Sequence, residues 1–160
     1  MNQIKVSGGS KKEIYESLFP QIKNLLDAED SLISNLANVT AALKESFPKF
    51  SWVGFYMFDG EKLFLGPFQG KVACTKIEIG KGVCGFAAEK MESLIVPDVN
   101  EFEGHITCDT QTKSEIVIPL FDDEGILGVL DIDSYEYNTF DNTDLTQLEE
   151  LVDYLVNEIF

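Results

Sequence analysis

The apolar residues of the first fifty positions recur with the spacing of two amphipathic helices. Ser10 and Glu13 fit a capping box, in which each side chain accepts an otherwise unpaired backbone N–H at the start of a helix. Pro20 interrupts the first helix, and we predict a kink or a short break there because proline removes a backbone donor and clashes with the preceding turn. The second helix is predicted to end near Pro48. The apolar faces comprise Ile14, Leu18, Ile22, Leu25 and Leu26 in the first helix, and Leu32, Leu36, Val39, Leu43 and Phe47 in the second.

From Phe50 onward the pattern changes to runs of aromatic and β-branched residues, which predict strands. Asp59 and Gly60 separate the first two runs and predict a type I′ hairpin turn, because that turn requires positive φ at both central positions. The predicted strands span residues 51–58, 62–68, 72–79, 94–96, 115–121 and 126–133.

Helical and irregular segments interrupt and follow these strands. A short helix is predicted at 83–90, and a final helix begins after Asp141. Residues 98–113 form a long polar stretch without periodicity. Loops beyond about 12–15 residues in a compact domain are usually functional or disordered. This one contains the only histidine, His105, and the third cysteine, Cys108, which favours a functional role.

These elements predict an α+β fold with a central antiparallel sheet of about six strands flanked by helices, which we expect on one face of the sheet. The chain of 160 residues has the length of one domain. We expect that single domain to comprise N-terminal helices at 10–47, a sheet with an active-site loop at 50–134, and a C-terminal helix at 141–160.

The net charge of the chain limits the classes of molecule that we expect it to bind. A net charge of −16 repels phosphate backbones, so we expect no nucleic acid partner. The N-terminal residues lack the apolar segment of a signal peptide, and the apolar runs are too short to span a membrane. We therefore expect no membrane partner and a cytoplasmic location. In that reducing compartment, cysteines are more often free, catalytic or metal-bound than structurally bridged.

Three carboxylates are candidates for acid–base chemistry. Asp131 and Asp133 lie two positions apart near the end of a predicted strand, so their side chains point to the same side of the sheet. Glu115 begins the neighbouring strand. Carboxyl groups forced together acquire different proton affinities, so that one can act as an acid beside an anion. The alternative is that all three are solvated strand ends.

The cysteines Cys74, Cys84 and Cys108 have the spacing C-x9-C-x23-C, which matches no common metal-binding pattern. His105 precedes Cys108 by three residues, and such a pair could lower the pKa of the thiol. A zinc site of three cysteines and one histidine is conceivable. However, zinc sites usually contain a short C-x2–4-C element, and its absence from the sequence leads us to expect no metal.

The strand at 51–58 also contains aromatic residues, among them Trp52 and Tyr56. Such residues most often belong to a hydrophobic core. Trp52 could also line a pocket that receives a methyl or thioether group.

Several motifs together resemble a known family. Their order and spacing resemble those of the free methionine-(R)-sulfoxide reductases, small single-domain enzymes of the GAF fold. The resemblance spans residues 50 to 134. The motifs are Ser51-Trp52-Val53-Gly54-Phe55-Tyr56, Leu65-Gly66-Pro67-Phe68-Gln69-Gly70, Cys74, Gly80-Lys81-Gly82-Val83-Cys84-Gly85, Val96-Pro97-Asp98-Val99, Gly104-His105-Ile106, Cys108-Asp109, Ser114-Glu115-Ile116-Val117 and Gly128-Val129-Leu130-Asp131-Ile132-Asp133-Ser134.

The resemblance implies reduction of free methionine (R)-sulfoxide to methionine. It also implies a cysteine sulfenic acid, an intramolecular disulfide, regeneration by NADPH-linked thioredoxin, no bound cofactor and a homodimer. Cys108 aligns with the nucleophile of the family and Cys74 with its principal resolving cysteine, although the order in which Cys74 and Cys84 act stays open. Cys84 aligns with the auxiliary cysteine of the family. Glu115, Asp131 and Asp133 align with its substrate-binding carboxylates, and Glu115 and Asp133 are also the candidate acids. Trp52 and Tyr56 align with the aromatic residues of its pocket walls.

Three positions depart from the family pattern. Phe86 stands where a small residue is usual, Thr107 where alanine is usual, and Val72 where proline is common. Phe86 bears on the surroundings of Cys84 and hence on its resolving role.

The alternatives to an enzyme are a non-catalytic GAF module that binds a small molecule and a redox-sensing GAF module.

Overall fold

The computed structural model describes residues 3–160, which form four α-helices, six β-strands and one short 3₁₀ helix. In chain order the elements are α1 (Lys11–Leu25), α2 (Leu32–Ser46), β1 (Trp52–Phe58), β2 (Lys62–Gln69), β3 (Lys76–Glu78), α3 (Gly82–Lys90), β4 (Leu94–Val96), the 3₁₀ helix (Val99–Glu101), β5 (Ser114–Asp122), β6 (Gly125–Ser134) and α4 (Asn142–Glu158). None of the helices in this described part has the length and apolar character needed to cross a membrane.

The strands form one sheet in the order β3-β2-β1-β6-β5-β4. Every neighbouring pair is antiparallel, so the expected α+β class with a six-stranded antiparallel sheet is confirmed. The two longest strands, β5 and β6, lie beside each other in the sheet and pair along nearly their whole length. This rigid pairing positions the residues that end β6 opposite those that begin β5.

Helices cover both faces of the sheet, which corrects the expectation that they lie on one face. On β1, Val53 and Phe55 point into a core shared with α1, α2 and α4. Trp52 and Tyr56 point to the opposite face, where α3 packs. The strand is apolar at both sets of alternating positions, and this is the signature of a strand buried on both faces.

The first helix continues through Pro20, so the predicted break is wrong. The capping box at Ser10 and Glu13 is confirmed. Pro20 lies on the exposed side of α1, where water can solvate the backbone carbonyl that loses its partner. The opposite side is held by burial of Tyr15, Leu18, Phe19 and Ile22.

The hairpin between β1 and β2 is confirmed, but its turn is displaced by one residue from the prediction. The backbone N–H of Asp59 donates to the carbonyl of Lys62 (3.1 Å), so Gly60 and Glu61 are the central residues. Of these two, only Gly60 has a positive φ, +99°. The turn is therefore not of type I′, which requires positive φ at both. A carboxylate oxygen of Asp59 accepts the N–H groups of Glu61 and Lys62, 2.9 Å each.

The third strand is shorter than predicted. β3 covers only Lys76–Glu78, whereas residues 72–75 lie outside the sheet. Val72, which belongs to the predicted strand, is 89% exposed. The β-branched residues of this segment therefore do not form a strand. Its irregular backbone carries Cys74 towards Cys108 in the long loop at 98–113.

That loop is anchored at both ends by the sheet. The N–H of Val99 donates to the carbonyl of Lys113 (2.9 Å), and the N–H of Lys113 donates to the carbonyl of Ser134 at the end of β6 (2.8 Å). Between these anchors only the 3₁₀ helix is regular. The loop therefore projects from a fixed base while its centre, with His105 and Cys108, follows no repeating hydrogen-bond pattern.

Candidate active site

The three candidate carboxylates lie on adjacent strands and on the same face of the sheet. Glu115 on β5 pairs with Asp133 on β6, and Asp133 pairs on its other side with Trp52 on β1. Asp131 lies two positions along β6 and pairs with Gly54. Because side chains alternate along a strand, all four side chains point to the α3 face. The predicted convergence of the carboxylates is therefore found in the structure.

The first turn of α3 brings Cys84 to this cluster. Its side chain is 4% exposed, and its Sγ lies 4.0 Å from Oε2 of Glu115. A Cβ on Gly85 would collide with the carbonyl oxygen of Glu78. The glycine thus lets the start of α3 approach the end of β3 closely enough to place the thiol over the carboxylates.

The other two cysteines form a disulfide between separate loops. Cys74 and Cys108 are bonded, with their Cα atoms 5.6 Å apart. Cys108 is exposed and Cys74 half-buried, whereas the Cys84 thiol is free and buried. The disulfide joins the irregular segment after β2 to the loop that precedes β5.

A pocket with a cavity volume of about 50 Å³ unites these parts. Seven of the eight residues proposed from the sequence line it; the eighth, Cys74, is bonded to Cys108 at its rim. The lining residues taken from that set are Trp52, Tyr56, Cys84, Cys108, Glu115, Asp131 and Asp133.

Burial raises the pKa values of all three carboxyl groups. For Glu115 the removal from water is the largest cause, and the charges of Asp131 and Asp133 add to it, so that its pKa lies well above the ordinary value. Burial and then Asp131 likewise raise the pKa of Asp133 well above its ordinary value. The pKa of Asp131 is raised by burial, against hydrogen bonds that favour its anion. The cluster therefore retains protons that isolated carboxyl groups would lose.

The neighbouring groups are held in their neutral forms. Burial, followed by the charge of Asp131, raises the pKa of the Cys84 thiol well above its ordinary value. Burial also raises the pKa of the Tyr56 hydroxyl. Burial lowers the pKa of His105, whose Nε2 lies 3.9 Å from Oε1 of Glu115. A neutral imidazole at this distance does not form a salt bridge with the glutamate.

Three buried polar atoms at the pocket have no hydrogen-bond partner among residues 3–160. They are Oδ1 of Asp131, Oδ1 of Asp133 and Oγ1 of Thr112. A buried polar atom without a partner is costly, and most such atoms in folded proteins are satisfied. A ligand with a strong hydrogen-bond donor would satisfy the two carboxylate oxygens together.

An aromatic wall bounds the pocket on the β1 side. The ring centroids of Trp52 and Tyr56 are 5.9 Å apart, and the indole stacks on Phe68 at 5.3 Å. A Cβ on Gly54 would overlap the indole ring, so only glycine leaves room for it. Hydrogen bonds fix both polar atoms of the wall: the indole N–H donates to the carbonyl of Lys71 (3.0 Å), and the Tyr56 hydroxyl donates to the carbonyl of Cys74 (2.9 Å).

Sequence reasoning did not nominate several residues of the pocket. Lys71, Lys81, Ile106 and Thr112 all line it. The signal for Lys81 was present in the sequence, because the Gly80-Lys81-Gly82 break precedes a helix whose first N–H groups lack partners. No local pattern marks Thr112, whose position depends on the path of the loop.

The same donors bear on metal binding. One ligand atom each from Cys84, Glu115 and Asp131 lie within 4.8 Å of one another, a spacing that a small cation could bridge. The zinc alternative with three cysteines and His105 loses two thiolates to the Cys74–Cys108 disulfide. Its donors are therefore not assembled in this form of the protein.

Comparisons with known proteins agree with this fold. The model of the GAF domain family matches residues 31–159. GAF domain-containing protein A of Dictyostelium discoideum is 55% identical over 94% of this chain and 97% of its own. The free methionine-R-sulfoxide reductase of Saccharomyces cerevisiae is 45% identical, over 89% of this chain and 83% of its own. A crystal structure of the free methionine-R-sulfoxide reductase from Neisseria meningitidis, in complex with its substrate, matches with a TM-score of 0.94 and 42% identity, covering 98% of this chain and 95% of that chain. The chain therefore belongs to the free methionine-R-sulfoxide reductase family of GAF domain proteins.

Proposed function

We propose that this protein is an oxidoreductase that reduces free L-methionine (R)-S-oxide to L-methionine. The names of the relatives support this reaction. The observation that carries the proposal is a single pocket lined both by the disulfide-forming Cys108 and by the carboxyl-bearing residues Glu115, Asp131 and Asp133. A thiol and a proton donor are the two groups that sulfoxide reduction requires.

Asp131 and Asp133 bind the ammonium group of the substrate in this proposal. Their Oδ1 atoms are buried and unpartnered within the described chain, and both residues line the same pocket. An ammonium offers three donors, so it can satisfy both oxygens and compensate the charge that burial makes costly. This recognition favours the free amino acid, because a peptide nitrogen carries no charge and only one N–H.

The substrate carboxylate lies between the loop at 98–113 and the start of α3. Backbone N–H groups of the loop are donors for it. The structure adds Lys81, whose side chain lines the pocket and whose backbone precedes the unpaired N–H groups of α3. With both termini of the amino acid engaged, a continuing peptide chain has no exit from the pocket.

Glu115 acts as the acid. Burial and the neighbouring carboxyl groups raise its pKa, which favours the protonated form, and the proton can move to the sulfoxide oxygen as negative charge develops there. Asp133, beside it on β6, also has a raised pKa. It assists as a second acid by passing its proton to Glu115 when the ammonium binds, and it is then the anion that holds the ammonium. Protonation makes the sulfur electrophilic, so the step that follows is attack on sulfur.

Cys108 is the nucleophile in the reduced enzyme. Its thiolate attacks the protonated sulfoxide at sulfur and forms a sulfur–sulfur bond. The hydroxyl group then moves to Sγ of Cys108, which breaks both that bond and the S–O bond of the substrate. The products are methionine and a sulfenic acid. The net step converts one thiol and one sulfoxide into one sulfenic acid and one thioether, so atoms and electrons balance.

Cys74 resolves the sulfenic acid. The thiol of Cys74 attacks Sγ of Cys108, water leaves, and the disulfide forms. The Cys74–Cys108 disulfide in the structure supports this assignment, because it is the bond that such a step would form. Cys84 is a poorer resolving group, because burial and neighbouring carboxyl groups raise the pKa of its thiol and suppress the thiolate. We assign Cys84 an auxiliary role in the carboxyl cluster.

Trp52 and Tyr56 select the epimer. With the ammonium and the sulfoxide oxygen fixed by the carboxyl cluster, the methyl group of the R epimer points towards the aromatic wall. In the S epimer the methyl group and the oxygen exchange places, which directs the polar oxygen at the rings. The wall thus rejects the S epimer by leaving its oxygen without a donor.

Thioredoxin, itself reduced at the expense of NADPH, reopens the disulfide by thiol exchange. No bound cofactor is needed, because the cysteines themselves supply both electrons. This cycle requires a reducing compartment, so we place the enzyme in the cytoplasm. We further propose one domain over residues 1–160 and a homodimer, for which the 70% exposed Ile33 on α2 is an available apolar contact.

The test is thioredoxin-coupled oxidation of NADPH with the R epimer, run beside the S epimer and a Cys108→Ser variant. We expect turnover of the R epimer only and no turnover by the variant. Appreciable turnover of a peptide that contains methionine sulfoxide would contradict the proposed recognition of both termini. No turnover by folded protein with its thiols reduced would favour a redox-sensing GAF module, because that function also uses the disulfide but leaves the carboxyl cluster without a role.

A further inference from the structure

A set of contacts beside the disulfide plays no part in the mechanism above. Asp109 directly follows Cys108, and its Oδ2 accepts a hydrogen bond from the hydroxyl of Tyr135 (2.7 Å). Its Oδ1 accepts the backbone N–H of Gln111 (2.9 Å). The carboxylate next to the nucleophile is therefore held from two sides.

Lys71 extends these contacts to the segment that carries Cys74. Its Nζ donates to Oε1 of Gln111 (2.7 Å) and lies 5.3 Å from the centroid of the Tyr135 ring. A cation at this distance from an aromatic face is attracted by the ring. Lys71 precedes Cys74 by three residues, and its carbonyl accepts the indole N–H of Trp52. We call Tyr135, Asp109, Lys71 and Gln111 the latch.

Tyr135 is the fixed member of the latch. It directly follows Ser134, the last residue of β6, which is held by pairing with Ser114 and by the hydrogen bond that its carbonyl accepts from Lys113. Asp109, Gln111 and Lys71 belong to irregular segments. The latch therefore ties two segments outside the regular elements to the end of the sheet without using the disulfide.

The charge of Asp109 strengthens the hydrogen bonds of the latch. Burial alone would raise the pKa of Asp109. The hydrogen bonds from Tyr135 and Gln111, together with the charge of Lys71, outweigh this and lower the pKa. Asp109 consequently stays an anion over the neutral range, where a charged acceptor makes the stronger hydrogen bond.

We propose that Tyr135 is a positioning residue that, through Asp109 and Lys71, keeps the segments of Cys108 and Cys74 together while both thiols are reduced. This inference rests on the proposed function, because it concerns the capture of the sulfenic acid. In that step the Cys74 sulfur attacks Sγ of Cys108, the S–O bond breaks, and the hydroxyl group leaves as water with the thiol proton. Its rate depends on how often the two sulfurs meet, which tethering increases.

The experiment compares Tyr135→Phe with the matched control Tyr137→Phe. Each removes one tyrosine hydroxyl, but Tyr137 is 56% exposed and contacts Lys113 through its ring. Reduced protein is mixed with a single equivalent of methionine R-sulfoxide, with and without dimedone, which labels sulfenic acids. Methionine release, disulfide formation and the labelled fraction of Cys108 are followed by quenched-flow mass spectrometry.

We expect Tyr135→Phe to slow disulfide formation at least about tenfold. The reason is that a hydrogen bond to a charged group favours the tethered arrangement of the two segments by about tenfold or more in its equilibrium constant. Dimedone labelling of Cys108 should rise accordingly. Methionine release and KM should stay within about twofold, since the pocket residues that bind and protonate the substrate are unchanged. A merely structural effect would instead alter all of these quantities together. Tyr137→Phe should match the wild type.

Two further arms complete the test. Oxidation by hydrogen peroxide forms the same sulfenic acid without the sulfoxide, so slow disulfide formation there supports the latch even if the proposed substrate fails. The double variant Tyr135→Phe with Asp109→Asn should be no slower than the slower single variant, because both changes act on the same contact: the first removes the hydroxyl donor and the second removes the charge of the acceptor. Unchanged disulfide formation in Tyr135→Phe in both oxidant arms overturns the proposal, and so does full additivity of the two changes.

Discussion

At the scale of single residues, Glu115 meets two opposing demands. Its burial among carboxyl groups costs stability, whereas the proposed reaction needs a proton held at that position. We expect Glu115→Gln to lower kcat/KM by about 100- to 10,000-fold, the usual contribution of a positioned acid. In the wild type, activity should fall as the pH rises through the raised pKa of Glu115, because the proton is then lost. The pH–rate profile of the variant should lack that dependence.

The stability of the same variant provides the control. Burial raises the folded-state pKa of Glu115 above its unfolded value. The contribution of this group to the free energy of unfolding is therefore fully present at pH values below its unfolded-state pKa. That contribution is lost as the pH rises through its folded-state pKa. Glutamine cannot ionise, so at neutral pH the variant should unfold at a temperature higher by at least about 2 °C. A variant that loses both stability and activity would contradict the assignment of Glu115 as a buried, protonated acid.

Substitutions of Cys74 and Cys84 should have different effects on turnover. We expect Cys74→Ser to complete the first release of methionine but to stop turning over with thioredoxin, because no disulfide forms for thioredoxin to reduce. Cys84→Ser should keep turnover within about threefold, since its buried thiol has a raised pKa and is a weak nucleophile. The measurement is single-turnover methionine release beside steady-state NADPH oxidation. The reverse ranking of the two variants would make Cys84 the resolving cysteine.

At the scale of elements, the close packing of β1 against its neighbours depends on Gly54. A Cβ at this position would overlap the indole of Trp52 and press on Cβ of Phe68 (2.6 Å). We expect Gly54→Ala to destabilise the fold by about 1–3 kcal/mol, the usual cost of overpacking. It should also raise KM, because the displaced indole no longer bounds the pocket. Urea unfolding and steady-state kinetics measure the two effects.

Gly9→Ala is the matched control for this change. The position has no heavy atom within 4 Å of an added Cβ and no left-handed backbone. Its free energy of unfolding should change by no more than about 0.5 kcal/mol. Equal effects of the two substitutions would mean that the loss of glycine flexibility, rather than the overlap with Trp52, determines the result.

A buried polar network joins α1 to α4. Asp144 is 0% exposed and accepts hydrogen bonds from the Tyr15 hydroxyl (2.6 Å) and from Nζ of Lys11 (2.5 Å). We expect Tyr15→Phe to cost about 1–3 kcal/mol, because it leaves one buried carboxylate oxygen without a partner. Tyr154→Phe, where the ring contacts Lys23, should cost less than about 0.5 kcal/mol. The free energies of unfolding in urea compare the two, and similar losses would argue against a role for the buried hydrogen bond.

The elements also show what the sequence could predict. Alternation of side chains was sufficient to place Asp131 and Asp133 together, because strand geometry enforces it. Pro20 was misjudged because tertiary packing of α1 outweighs the loss of one hydrogen bond. Cys74 was assigned to a strand because composition cannot reveal that residues 72–75 leave the sheet. The packing of α3 on the second face of the sheet was missed because residues 82–88 are all apolar or glycine, which gives no directional signal.

At the scale of the whole molecule, the site depends on contacts between segments that are distant in the sequence. The motifs identified the family and nominated the candidate reactive residues, since those residues lie within short patterns. By contrast, the latch joins Lys71, Asp109 and Tyr135, which lie in three different segments. Such a contact depends on the path of irregular backbone, and neither periodicity nor local spacing encodes that path.

The excess of negative charge acts on the molecule as a whole. The 28 acidic and 12 basic side chains leave a net charge of −16, and mutual repulsion of these charges opposes the compact state. Added sodium chloride shortens the screening length from about 30 Å at 0.01 M to about 10 Å at 0.1 M. We therefore expect the urea midpoint to rise over this range. KM for methionine sulfoxide should change by less than about twofold, because the zwitterion is neutral overall and the carboxylate oxygens proposed to bind its ammonium are buried.

A variant with fewer negative charges isolates the cause of this effect. Glu61, Glu92 and Asp123 are exposed and lie in turns or irregular segments. Replacing all three with lysine changes the net charge from −16 to −10, since each substitution adds two positive units. The urea midpoint of this variant should be higher at 0.01 M sodium chloride and should rise less with added salt. If both proteins respond equally to salt, specific ion binding rather than repulsion sets the dependence, because only repulsion scales with the net charge.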